Sequence, residues 1–203
     1  MNNVSKLMLS DEEQQLVNNS GWILTKRIII EKVCRLLGTF SERQQAVIEK
    51  EKAWLPPAVL RSEPKIARGE NYLQLPYVLL DYPRCFDSEN IFAVRTMFWW
   101  GNFFSITLQL SGSYRQLFQQ KILNGLNQAV TGYYICIHES PWQHHFEADN
   151  YLPVHQLTKK ELQETILQKE FIKLSLKFPL AQWNEMPGLL DAAFNDMMEL
   201  LRD

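Results

Sequence analysis

Ile91–Leu110, IFAVRTMFWWGNFFSITLQL, decides how the rest of the chain is read. Its right arm alternates, with Phe104, Ile106, Leu108 and Leu110 on one face and Ser105, Thr107 and Gln109 on the other. That period of two is the signature of a strand. Its left arm is almost wholly apolar or aromatic, yet Arg95 sits in the middle of it. Gly101-Asn102 separates the two arms, a dipeptide suited to a tight hairpin loop. A two-residue loop pairs Trp100 with Phe103, Trp99 with Phe104, Met97 with Ile106 and Arg95 with Leu108. Side chains directly opposite share a face, so this register puts Arg95 among Ile106 and Leu108, on the face that helices are expected to cover. The other face then carries Phe98, Trp100, Phe103, Ser105, Thr107 and Gln109. Twenty residues with one formal charge approach the length of a membrane span. The central charge, the Gly-Asn break and the alternation favour a hairpin instead.

Working outward, Ser10 followed by Asp11, Glu12 and Glu13 is a capping box that opens a first helix of roughly ten residues. A second helix is predicted over 22–37, with Gly38 as its stop. A third runs from a Ser41 cap to about Trp54, and Pro56-Pro57 ends it. Residues 56–71 show neither helical nor strand period and read as an irregular connection. Strands are predicted over 72–82, 91–100, 103–110 and 132–138, with a helix over 113–128 capped by Ser113. Residues 139–157 read as loop. Thr158 and Glu161 form a second capping box. In 171–178, Ile172, Leu174, Leu176 and Phe178 alternate with Lys173, Ser175 and Lys177, which predicts a strand with one wet face. Residues 186–201 close the chain as an amphipathic helix. The expected class is α+β: a mostly antiparallel sheet of about five strands against helices, in one domain comprising a helical segment 1–60 and a sheet-containing core 61–203.

Composition narrows the function classes. With 46% hydrophobic and 12% aromatic residues the chain can fill a core, which excludes extensive disorder. A net charge of −2 leaves no electrostatic footprint for coating nucleic acid. Cys34, Cys85 and Cys136 recur every 51 residues, which is no metal-ligand spacing, and an odd, sparse count suits a reducing compartment. MNNVSKLMLSDEE lacks the basic start and apolar core of a secretion signal. The expectation is a cytoplasmic protein with no membrane association, no metal and no cofactor.

A buried guanidinium costs several kcal/mol unless it is paired, so Arg95 poses the sharpest chemical question. An internal carboxylate, such as Asp81 or Glu139, neutralises it, or it faces a cleft and grips an anionic ligand, or a bulge or different loop turns it to solvent. Arg84 and Asp81 sit near a turn, where ligand-binding residues gather. His138 with Glu139 offers a weak acid–base pair. The loop PWQHHFEAD (141–149) crowds imidazoles and carboxylates, but in no spacing with metal-site logic. No nucleophile elbow, phosphate-binding loop or dinucleotide fingerprint is present. The leading expectation is therefore a non-catalytic binding or protein-interaction module. Its surface would be the aromatic–polar sheet face with Phe98, Trp100, Phe103 and Thr107, beside Arg95, Arg84 and Asp81. The partner would be another protein, a second copy in a homodimer, or a small anionic ligand. The alternative is a small enzyme acting on an anionic metabolite, with Arg95 or Arg84 as clamp and His138 as acid–base.

Overall fold

A computed structural model describes residues 7–127 and 132–202. The class is α+β, as expected, but the antiparallel sheet has seven strands rather than about five. They are β1 (Lys65–Tyr72), β2 (Leu75–Phe86), β3 (Ile91–Trp99), β4 (Phe103–Ser111), β5 (Tyr134–Cys136), β6 (Tyr151–Pro153) and β7 (Phe171–Pro179), in the order β1-β2-β3-β4-β7-β5-β6. The two unexpected strands are those with the weakest signal. β1 is an edge strand with exposed or half-exposed residues throughout, so no apolar alternation marks it. β6 is three residues long.

Among the described residues the helices are α1 (Asp11–Asn18), α2 (Ser20–Lys50), α3 (Pro57–Leu60), α4 (Gly112–Leu126), α5 (Lys159–Gln168) and α6 (Met186–Glu199). Both capping boxes form, at Ser10/Glu13 and Thr158/Glu161. The helix predicted over 113–128 begins at Gly112 behind an N-cap Ser111, and its expected last residue, Gln128, lies outside the described residues. The break predicted at Gly38–Ser41 does not occur: α2 is one helix of 31 residues. Its buried stripe of Val33, Leu37, Phe40, Gln44 and Ile48 runs through Gly38 at helical spacing. Packing along that stripe outweighs the roughly 1 kcal/mol that glycine costs in a helix interior. The Ser41 hydroxyl does not cap a new helix but donates back to the Gly38 carbonyl at 2.7 Å.

The central hairpin forms with a different register. Trp99 pairs with Phe103, Phe98 with Phe104 and Arg95 with Thr107, so the loop has three residues, Trp100-Gly101-Asn102. The Asn102 N–H closes on the Trp99 carbonyl at 3.1 Å across a turn in which Gly101 takes φ +71°. A one-residue slip moves every side chain to the opposite face. Arg95 therefore lies with Ser105, Thr107 and Gln109, not with Ile106 and Leu108. Phe98 and Trp100 go to the helix-covered face, which also holds Val94, Phe104, Ile106, Leu108 and Leu174 in the main core.

The second face is not open. The segment 137–150 folds over it, and Phe146 packs on Phe103, Tyr134 and Tyr151 with ring centroids 4.6–5.0 Å apart. The wet face expected of β7 is consequently dry over half its length. Lys173 and Ser175 are buried, and only Lys177 reaches solvent, its ammonium over the Phe103, Tyr134 and Phe146 rings.

Candidate functional site: a buried polar row and an exposed apolar arm

The register places one transverse row of polar side chains across five strands. Asp81 on β2 faces Arg95 on β3, Arg95 faces Thr107 on β4, Thr107 faces Ser175 on β7, and Ser175 faces Tyr134 on β5. Side chains opposite in antiparallel pairs lie close enough to bond, and two of these four pairs do. Arg95 Nε and Nη2 donate to Asp81 Oδ1 and Oδ2 at 2.7 and 2.8 Å, a bidentate pair whose side chains are 19% and 13% exposed. Thr107 and Ser175 share a hydrogen bond of 2.8 Å between their hydroxyls, and the Ser175 hydroxyl also reaches the Ile106 carbonyl. Asp81 is the last residue of β2 in this register, since the pairing shifts between it and Arg84 around the cis Tyr82–Pro83 peptide.

The 137–150 segment completes the row. Arg95 Nη1 lies 3.2 Å from His144 Nε2. A guanidinium only donates, so His144 accepts through Nε2 and is neutral with its proton on Nδ1. Burial, followed by the charges of Lys173 and Arg95, lowers the His144 pKa to about 2. The Tyr72 hydroxyl, at the end of β1, accepts the backbone N–H groups of His144 and His145 at 2.7 and 3.0 Å and clamps the segment down. Lys173 donates to the Gln143 carbonyl and lies 5.2 Å from the Tyr151 ring centroid. Burial pushes its pKa down to about 8. Asn150, wholly buried, donates to the His145 carbonyl and accepts from the Cys136 thiol at 3.4 Å.

The predicted site residues thus separate. Arg95, Asp81 and Thr107 meet in the row, with Phe103 at its aromatic end. Phe98 and Trp100 lie on the other side of the sheet, where Phe98 packs against Trp183 and Trp100 against Trp22. Arg84 is tied elsewhere, its Nε donating to the Glu63 carbonyl at 3.0 Å. His138 Nδ1 accepts the Ser140 backbone N–H at 2.9 Å, and Glu139 beside it is exposed. Of the two carboxylates considered for Arg95, Asp81 is the partner. No group of three or more His, Cys, Asp or Glu able to hold a metal exists among the described residues. Tyr72, His144, Tyr151 and Lys173 were not singled out with Arg95 by sequence reasoning. Lys173 stands opposite Gln109 and Ser175 opposite Thr107, a signal that becomes readable only with the correct register.

Most of the row's polar groups are satisfied from within the chain, while Arg95 and Asp81 keep partial exposure. All three donating nitrogens of Arg95 that face the protein are engaged, and Lys173 is 1% exposed. Its work is to pin the 137–150 segment to the sheet.

A different surface is open. Among the described residues, nine of the fourteen exposed large hydrophobic side chains fall between Leu7 and Ile28. They comprise Leu7, Met8 and Leu9 ahead of α1, Leu16 and Val17 on α1, and Trp22, Ile23, Leu24 and Ile28 on α2. α1 has no buried residue at all. The inward stripe of α2 becomes buried only from Ile30 onward. Over 22–30 the helix is apolar on both faces, since Leu24 and Ile28 lie far round from the Ile30–Val33–Leu37 stripe at 100° per residue. No helix among the described residues is long and apolar enough to cross a membrane. Compared with known protein families, curated proteins and solved structures, the chain finds no match in any of the three.

Proposed function

We propose that this protein is a non-catalytic interaction module whose contact surface is the apolar arm formed by residues 7–28. The carrying observation is the concentration of exposed large hydrophobic side chains there, while the rest of the described surface holds only five, dispersed from Ile66 to Trp142. A concentration of exposed large apolar side chains marks a place that something else covers. The class of function is the one the sequence suggests. The surface moves from the aromatic–polar sheet face, which the 137–150 segment covers, to the helical arm. Another protein is a better occupant than an anionic lipid surface, because Asp11, Glu12 and Glu13 outnumber Lys26 and Arg27 on the same arm.

Site-specific photo-cross-linking in living cells tests the reading. A benzoylphenylalanine residue at position 17 or 24 is compared with one at position 160 or 163 on the solvent face of α5. The reading expects protein adducts at 17 and 24 well above those at the α5 positions. Equal or absent adducts at the arm would overturn it.

A further inference from the structure

We propose that the face of the arm at Ile23 and Ile30 is covered by a second copy of this chain, through reciprocal exchange of the segment Leu7–Glu12; this rests on the reading of residues 7–28 as an interaction surface. α2 and β1 enclose a groove of about 380 Å³. Its lining is Ile23 and Ile30 with Lys26, Arg27, Glu31, Arg68 and Glu70 around them. Ile23 lies two turns ahead of Ile30 on the same helical stripe, yet it is 51% exposed while Val33 is fully buried. The stripe runs past what the chain itself packs against it.

The rim carries one net positive charge, three bases against Glu31 and Glu70. Lys26 is neutralised by Glu70. Arg27 and Arg68 are exposed and have no ion-pair partner among the described residues. The groove therefore fits a short apolar segment followed closely by acid. The chain carries such a segment. Leu7, Met8 and Leu9 are 86%, 70% and 53% exposed. Asp11 and Glu12 follow, also exposed and without ion-pair partners among the described residues, whereas Glu13 is held in the Ser10 capping box. The exposure of Leu7–Leu9 means that the segment is not seated in its own groove. Two copies related by a two-fold axis seat both segments at once, apolar on apolar and Asp11/Glu12 against Arg27/Arg68. The contact is isologous and closes at a dimer.

Sedimentation velocity of the purified full chain over a concentration series is the first arm of the test. The second is a mixture of light and ¹⁵N-labelled chains carrying benzoylphenylalanine at position 8. The proposal expects a reversible dimer and mixed-isotope cross-links from residue 8 to 23–30 or 66–70. Glu12→Lys weakens the dimer about tenfold, and Glu12→Lys/Arg27→Glu restores it, with melting temperatures unchanged at concentrations where the chain is monomeric, because all these positions are exposed. A monomer at every concentration, cross-links that land elsewhere, or an unaltered dimer in Glu12→Lys would overturn the proposal. Flotation of the chain with phosphatidylcholine vesicles without dimer formation would overturn it in favour of a lipid surface. A monomer whose arm still yields adducts to other proteins in cells removes self-recognition but leaves the interaction surface standing.

Discussion

Replacing Asp81 by alanine removes the partner of Arg95 while leaving the arginine beneath the 137–150 segment. Both side chains are more than four-fifths buried and bonded through two N–H···O contacts of 2.7 and 2.8 Å. Removing one member of a buried pair costs about 3–5 kcal/mol, because the survivor keeps a desolvated, unpaired charge. The residual exposure of Arg95 lets some water reach it, which puts the expectation at the lower end, about 3 kcal/mol. For a chain of this size each kcal/mol moves the midpoint about 2–4 °C, so Asp81→Ala should melt roughly 6–12 °C early. The double variant Asp81→Leu/Arg95→Met removes both charges at similar volume and should recover most of that loss, since such replacements are often neutral. Urea denaturation of wild type, both single variants and the double variant gives the coupling directly. A cost below about 1 kcal/mol for Asp81→Ala, or a double variant no better than the singles, would refute the pairing argument. So would an Asp81→Ala protein of normal stability whose midpoint rises with a small anion, since Arg95 would then be a ligand clamp.

The His144 pKa of about 2 has a definite sign. Below about pH 6.5 the unfolded chain takes up a proton that the native chain refuses, so this residue lowers stability as pH falls, by about 2 kcal/mol between pH 7 and pH 5. The loss should be absent in His144→Gln and is read from urea titrations at both pH values. Lys173, with its pKa down at about 8, behaves differently. Between pH 8 and about 10.4 the native state releases a proton that the unfolded state keeps. Wild type should therefore gain about 2 kcal/mol relative to Lys173→Met from pH 7.5 to pH 9.5, checked by thermal melts at the two values. Thr158→Ala deletes a capping box at α5 and should cost about 1 kcal/mol. Gly112→Ala should cost about 1–3 kcal/mol in the same denaturation assay, because its φ is +55° and a Cβ would press on Asn90 and on the Glu89 carbonyl.

The elements with strong local chemistry were legible from the sequence. Ser10-Glu13 and Thr158-Glu161 specify helix starts through side chains three residues apart, and both formed. The β7 alternation gave a strand in the right place. Register was not legible, because Phe98, Trp99 and Trp100 are all aromatic and give no contrast between faces. A two-residue and a three-residue loop were equally consistent with the pattern. That single residue decided whether Arg95 met Leu108 or Thr107, and with it the content of both faces. The covering of Lys173 and Ser175 was hidden for another reason. It depends on 137–150 returning across the sheet from beyond β5, a long-range contact with no local trace. α2 shows the converse: Gly38 and Ser41 are local signals of a helix end, and a buried stripe running through them prevailed. The apolar arm was visible as composition in GWILTKRIII, but its exposure required knowing where the sheet stops.

On the proposed contact surface, Leu24 and Ile28 serve a partner and not the chain's own core. The direct measurement is photo-cross-linking in cells from position 17 in Leu24→Ser/Ile28→Ser, with the melting midpoint of the purified variant alongside. Exposed positions change stability by only about 0.5 kcal/mol, so the expected result is a midpoint within a few degrees of wild type and loss of the adducts. A midpoint many degrees lower with adducts retained would contradict it, because those side chains would then belong to the fold itself.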